Sequence, residues 1–292
     1  MQTLWVLGIL CGTLLMVVPA IGSVRYILSN LIIDDTFYYL LPAHNVTHGL
    51  GLTFDGINTT NGFQPLWMLA LMPVAAMFGD RELLLRATLV FQALIYASSV
   101  WMLARAALLS GRKAMPLLVV VAWTVFGLRH DMGISLVMNG LESALYFLIL
   151  TLVFVLTLKA VQEVNDRTFF LLSVVVGLVV LTRLDAVPVI APMYLFATWR
   201  YIKRQGIKRG LPRVVLGWGA GAAPVLIYMA WSMGAVGIPT PVSGQIKLLQ
   251  AQQQAIEQYG GMLTLAFVKE ALRAFVRSGT LIVALVVGVF MP

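Results

Sequence analysis

Long apolar runs govern what this chain can fold into. Leu117–Gly127, Leu145–Leu158, Phe169–Leu181 and Val214–Met233 have the length or near-length of a membrane-spanning helix. In hydrocarbon every backbone N–H and C=O must be satisfied within the structure, which admits only helices or a closed barrel. The ten-residue alternation of barrel strands is missing, so the runs read as helices. Composition agrees, with 60% hydrophobic residues and only 11% Asp, Glu, Lys and Arg, against about a quarter charged in a soluble domain. The expected fold class is an all-α, polytopic membrane protein.

The net charge of +8 comes from basic residues set between the apolar runs. They form no groove-sized patch with interleaved aromatics, which excludes nucleic acid as a partner. The densest group, Arg200, Lys203, Arg204, Lys208, Arg209 and Arg213, fits a short cytoplasmic loop, 200–213, under the positive-inside rule. From that anchor, Asp185–Trp199 runs inward and Val214–Met233 outward. Phe169–Leu181 rises from Lys159–Arg167, to which Glu142–Leu158 descends. Ala114–Leu128 rises from Gly111-Arg112-Lys113, to which Glu82–Leu109 descends.

Pro65–Gly79 covers fifteen residues, about 22 Å of a hydrocarbon core of about 30 Å. It therefore reads as a juxtamembrane or re-entrant helix. Residues 34–79 become a first outer loop with two short helices, and the N-terminus is cytoplasmic. Of the acids, Glu163 and Asp166 alone then stay inside. The others, with His44, His48 and His130, gather on the non-cytoplasmic side. A second outer loop, 234–278, carries a polar surface helix over Gln245–Gln258. The run Thr280–Phe290 is too short to span and stops at Pro292, so a C-terminal part is expected to be missing from a single transmembrane domain, 1–292.

The first apolar segment has no Lys or Arg before it, and Ala20-Ile-Gly22 is a poor cleavage site. A retained helix is expected there, not a signal peptide. Cys11 is the only cysteine, which rules out an internal disulfide and any cysteine-based metal cluster.

The richest local constellation is Ile33-Asp34-Asp35-Thr36-Phe37-Tyr38-Tyr39, an acidic pair at the end of a hydrophobic helix. A helix cap accounts for one Asp. It does not account for two, since neighbours on a helix point about 100° apart. A carboxylate here is a candidate general base for a hydroxyl acceptor, a role that partial burial would favour. Asn139-x-x-Glu142 fits either a capping box or a substrate contact. Arg183 and Asp185 either pair, or Asp185 caps a helix, or both meet substrate. His44 and His48 share an i,i+4 face but lack a clear third ligand, so no metal site is assigned and a divalent ion is not excluded. Trp67 reads as an interface anchor. A transporter or lipid flippase, the alternative, would hold its ionisable residues near mid-membrane. A non-catalytic membrane scaffold would find the acidic loops dispensable.

Asp34-Asp35-Thr-Phe-Tyr-Tyr, His48-Gly-Leu-Gly-Leu-Thr-Phe-Asp-Gly56 and Asn58-Thr-Thr-Asn-Gly-Phe-Gln-Pro-Leu-Trp67 together resemble the first outer loop of GT-C fold glycosyltransferases. Asn139-Gly-Leu-Glu142, Thr182-Arg-Leu-Asp185 and Pro239-Thr-Pro-Val-Ser-Gly244 follow in the order of the family's bacterial membrane branch, which includes protein mannosyltransferase, aminoarabinose transferase and arabinofuranosyltransferase types. The resemblance covers most of the chain. It implies a GT-C-like helix bundle with two juxtamembrane helices in the first outer loop. The implied activity is transfer of a hexose or pentose from a polyprenyl-phosphate donor to a glycan, lipid or protein hydroxyl outside the cytoplasm, in the plasma or inner membrane. It further implies Asp34 or Asp35 as catalytic base of an inverting displacement, with Asn61, Gln64, Glu142, Arg183, Asp185, Ser243 and Lys247 binding substrate. Arg183, Lys247 and Arg129 are the candidate partners for the leaving phosphate. No cofactor is expected.

Overall fold

The computed structural model describes residues 2–108, 114–127, 134–183 and 186–259, in two compact units, Met1–Pro239 and Thr240–Pro292. Regular structure among the described residues is helical, apart from one isolated bridge between Thr53 and Thr59. Among the described residues, four helices are long and apolar enough to cross a membrane: Thr3–Ile21, Arg81–Ala107, Ser143–Gln162 and Ile207–Val236.

Helix α1, Gln2–Ile21, ends where Gly22 and Ser23 interrupt the apolar run. Ser23 Oγ accepts the Tyr26 backbone N–H and starts a new helix, α2, Val24–Asn30. The acidic pair, expected at the end of a hydrophobic helix, instead follows this separate seven-residue segment. It lies in a 3-10 turn, Asp34–Thr36, that leads into α3, Phe37–Thr47. After an irregular stretch, α4 spans Pro65–Met77, with proline at its first position, where a missing N–H costs nothing. Its thirteen residues cover about 20 Å, short of a bilayer core. Trp67, Met68, Leu71 and Ala75 are buried against the rest of the unit.

The long helix α5, Arg81–Ala107, is capped by Asp80, whose Oδ1 accepts the Leu83 N–H at 2.9 Å. It forms the spine of the first unit, packing against α1, α6 (Met115–Gly127) and α8 (Ser143–Gln162). Arg86 fastens its upper part to α1: Nη1 donates to the Ala20 and Gly22 carbonyls at 2.7 and 2.8 Å, while Glu82 holds the other side of the guanidinium. A single turn, α7 (Ser135–Val137), precedes α8.

Helices α9 (Asp166–Thr182), α10 (Val187–Gln205) and α11 (Ile207–Val236) complete the first unit. The stretch 200–213, expected as a loop, is helical on both sides of one residue. Arg, Lys and Gln are good helix formers, so α10 runs on through Lys203 and Arg204, which suit the negative end of its dipole. Gly206, at φ +77°, makes the whole turn.

The α9–α11 seam is built from small residues at four-residue spacing on both helices, Ser173 and Gly177 against Gly217 and Gly221. A Cβ on Gly177 would strike the Gly221 carbonyl oxygen, and one on Gly221 would strike that of Ser173. The two backbones therefore touch directly, running in the same direction. In the second unit, α12 spans Val242–Tyr259 and carries Ser243 and Lys247.

Candidate functional site

The acidic turn is seated by the residue that follows it. Thr36 is fully buried, and its hydroxyl donates to the Asn139 carbonyl at 2.5 Å. That carbonyl belongs to a sharp turn, residues 138–142, held from three directions. Trp67 Nε1 donates to the Gly140 carbonyl at 3.0 Å. The side chain of Gln92, buried in the middle of α5, donates to the Leu141 carbonyl at 2.5 Å and accepts the Gly140 N–H at 3.0 Å. Asn139 Oδ1 accepts the Leu141 N–H at 3.0 Å. Gly140 has φ +81°, and a Cβ there would collide with the Thr36 side chain, so glycine is required on both counts.

The turn delivers Glu142 to the buried N-terminus of α8 without making it a cap: its side chain accepts no α8 backbone N–H. The capping-box alternative is thus not the arrangement found. Glu142 Oε2 accepts the Tyr39 hydroxyl at 2.9 Å, and Oε1 pairs with Arg183 Nη1 at 3.4 Å. Tyr39 in turn accepts the Gln64 backbone N–H at 3.2 Å. Burial, followed by the Glu142 charge, pushes the Tyr39 phenol far above its ordinary range, so it stays a donor. The Arg183 side chain is 37% exposed against 7% for Glu142, and it lies over the Tyr146 ring at 5.7 Å. A carboxylate sealed below and a half-open guanidinium above present a fixed cation to an anionic ligand.

Asp34 is exposed and Asp35 half-buried beside this network. Asp34 Oδ1 accepts the Asp35 N–H at 3.0 Å, and neither carboxylate caps α3. Gln64 Oε1 is buried with no hydrogen-bond partner among the described residues. Asn61 lies elsewhere: its buried Nδ2 donates to Ser232 Oγ of α11 at 2.7 Å, and Ser232 donates onward to the Ile238 carbonyl at 2.6 Å. Asp185, Arg129 and His130 lie outside the described residues. Ser243 and Lys247 belong to the second unit.

The His44 and His48 rings stack at 4.0 Å, and each donates to a backbone carbonyl, His44 to Gly79 and His48 to His44 itself. Among the described residues no group of three or more His, Cys, Asp or Glu side chains is placed to hold a metal ion. Asp55 closes the loop between α3 and α4. The N–H groups of Asn58 and Ile57, then the Asn58 amide, hold its carboxyl down at about 2.

Four residues that organise the site, Thr36, Tyr39, Trp67 and Gln92, were not singled out from the sequence as site residues. Trp67, expected at the membrane interface, is fully buried and spends its indole N–H on the turn. Gln92 left a usable signal, a lone amide within the apolar stretch Leu83–Val100. No protein-family model, curated protein or solved structure matches this chain.

Proposed function

We propose that the protein is a membrane glycosyltransferase that moves a sugar from a polyprenyl-phosphate donor to an acceptor hydroxyl, with Asp34 or Asp35 as general base. One observation carries the reading most. An exposed acidic turn, a buried Glu142 and a half-open Arg183, separated by about a hundred and then about forty residues of chain, are joined through Thr36, Asn139 and Tyr39 at one end of the bundle. The GT-C resemblance of the same segments supports it, and so does their placement away from the basic end.

In the proposed step the Asp carboxylate takes the proton of the acceptor hydroxyl. The acceptor oxygen forms a bond to the anomeric carbon on one face. On the opposite face the bond to the phosphate oxygen breaks, and the polyprenyl phosphate leaves with the electron pair. One base suffices, because phosphate is a stable anion that needs no acid, whereas a retaining route needs a carboxylate nucleophile. Arg183 meets the charge growing on the phosphate. Glu142 and Tyr39 hold Arg183 in place.

The test is transfer from a panel of labelled polyprenyl-phosphate sugars by the full chain in nanodiscs. Wild type turns over at least one donor, and either Asp34→Asn or Asp35→Asn lowers the rate by about 100-fold or more, the range of a general base. Full activity in both variants would refute the base assignment. A wild type that moves label across a sealed membrane without forming a new glycosidic bond would favour a transporter.

A further inference from the structure

At the end of the bundle opposite Arg183, helices α9, α10 and α11 border an open pocket of about 310 Å³ lined by Asp166, Arg167, Phe170, Tyr201, Arg213 and Leu216. Its two ends differ in chemistry. Leu216 and Phe170 are exposed apolar side chains on the outer faces of α11 and α9, and they open the cavity toward the surface that lipid covers. Most of the accessible lining is apolar, and its polar groups come from Asp166, Arg167, Tyr201 and Arg213. Tyr201 donates to Asp166 Oδ1 at 2.5 Å, and Arg213 Nη1 pairs with Asp166 Oδ2 at 3.0 Å. The ion pair engages one nitrogen of a group with five N–H donors, and the Arg213 side chain is about one third exposed.

We infer that this cavity binds the phosphate headgroup of an anionic membrane lipid, with Arg213 and Arg167 meeting the phosphate and the first carbons of the acyl chain lying along Leu216 and Phe170. Three observations meet here. The cavity has the size of a small-ligand site. Its lining runs from apolar to cationic in the direction that a lipid runs from tail to head. Its surroundings carry Lys203, Arg204, Lys208 and Arg209, all exposed, so the local field favours an anion. Asp166 competes with the phosphate for Arg213, which makes it the element that sets how tightly the lipid is held. The inference does not depend on sugar transfer, only on the chain lying in a membrane.

The test separates binding from simple ion-pair stability. The full chain in detergent is titrated with phosphatidylglycerol, phosphatidylcholine and inorganic phosphate, with bound lipid counted by native mass spectrometry and unfolding followed by thermal melting. Phosphatidylglycerol binds and raises the melting midpoint, whereas phosphatidylcholine and inorganic phosphate do not. Arg213→Ala weakens phosphatidylglycerol binding by about fivefold, the size of one basic residue at an anionic surface. Asp166→Asn keeps an acceptor for Tyr201 and tightens binding. A purely structural ion pair would make both variants less stable and leave lipid affinity unmoved or shifted the same way, which would overturn the inference. Equal binding of phosphatidylcholine, or capture of inorganic phosphate alone, would overturn it as well. Arg167→Ala, at an exposed position, serves as a second variant if Arg213→Ala does not fold, and it too must weaken binding.

Discussion

Gly140 shows how one residue can hold a site together while touching no ligand. Its positive φ lets the chain reverse within a turn, and its missing Cβ makes room for Thr36, which then ties the Asp34–Asp35 turn to Asn139. Gly140→Ala is expected to cost about 1–3 kcal/mol, the range for strained backbone positions, and to lower the thermal midpoint of the purified protein. Activity should fall further than stability accounts for, because the acidic turn loses its seat; unchanged melting and unchanged transfer would refute the role given to this contact. The sequence carried the acids and Arg183 in plain view, since charges in an apolar chain are conspicuous. It did not show that Arg183 pairs with Glu142 across about forty residues, because a pairing made by tertiary packing leaves no mark in local spacing. The role of Tyr39 is hidden for the same reason: among the aromatics that follow the acidic pair, nothing in its own position says which one will be buried.

At the scale of elements, the apolar runs announced the long helices, and the breaks between them were harder to place. The shortness of α4 was readable by counting, since its bounding Pro65 and Gly79 stand in the sequence and thirteen helical residues cover about 20 Å. In the stretch 200–213 charge density reads as loop, whereas Lys, Arg and Gln continue a helix until Gly206. The division between α1 and α2 also went unread: Gly22 and Ser23 are a modest signal beside the Arg86 contacts that make the break permanent. The α9–α11 seam gives the sharpest test at this scale. With carbonyl oxygens filling the space where a methyl would sit, Gly177→Ala and Gly221→Ala should each destabilise by about 1–3 kcal/mol, as overpacking does. Gly219→Ala, two residues away on the opposite face with open space around it, should be neutral or slightly stabilising in the same melting experiment. Equal losses at all three positions would mean that the seam is not what these glycines serve.

For the molecule as a whole, charge divides between two ends. Asp34, Asp55 and Asp80 lie with the α3–α4 region, and Lys203, Lys208 and Arg209 with the α10–α11 turn. In a Cys11→Ser background, Asp55→Cys and Lys208→Cys should label from opposite sides of sealed vesicles with a membrane-impermeant maleimide. Labelling from one common side would reject the placement of these ends on opposite sides of a membrane. The separation of acidic and basic clusters was legible because charged residues stand out between apolar runs. The internal arrangement of the acidic end was not, because it rests on side chains buried in four different helices.

Helix α9 has Asp166 as its first residue and Arg183 just past its last, seventeen residues apart. At 1.5 Å per residue the helix is about 25 Å long, several Å less than a typical hydrocarbon core. A polar group at each end of so short a rod creates a hydrophobic mismatch, which a bilayer answers by thinning or the protein by tilting. Because the backbones of α9 and α11 touch at Gly177 and Gly221, tilting α9 means tilting both. Placed in a bilayer, so short a rod draws the headgroup layer inward at both of its polar ends, Asp166 and Arg183.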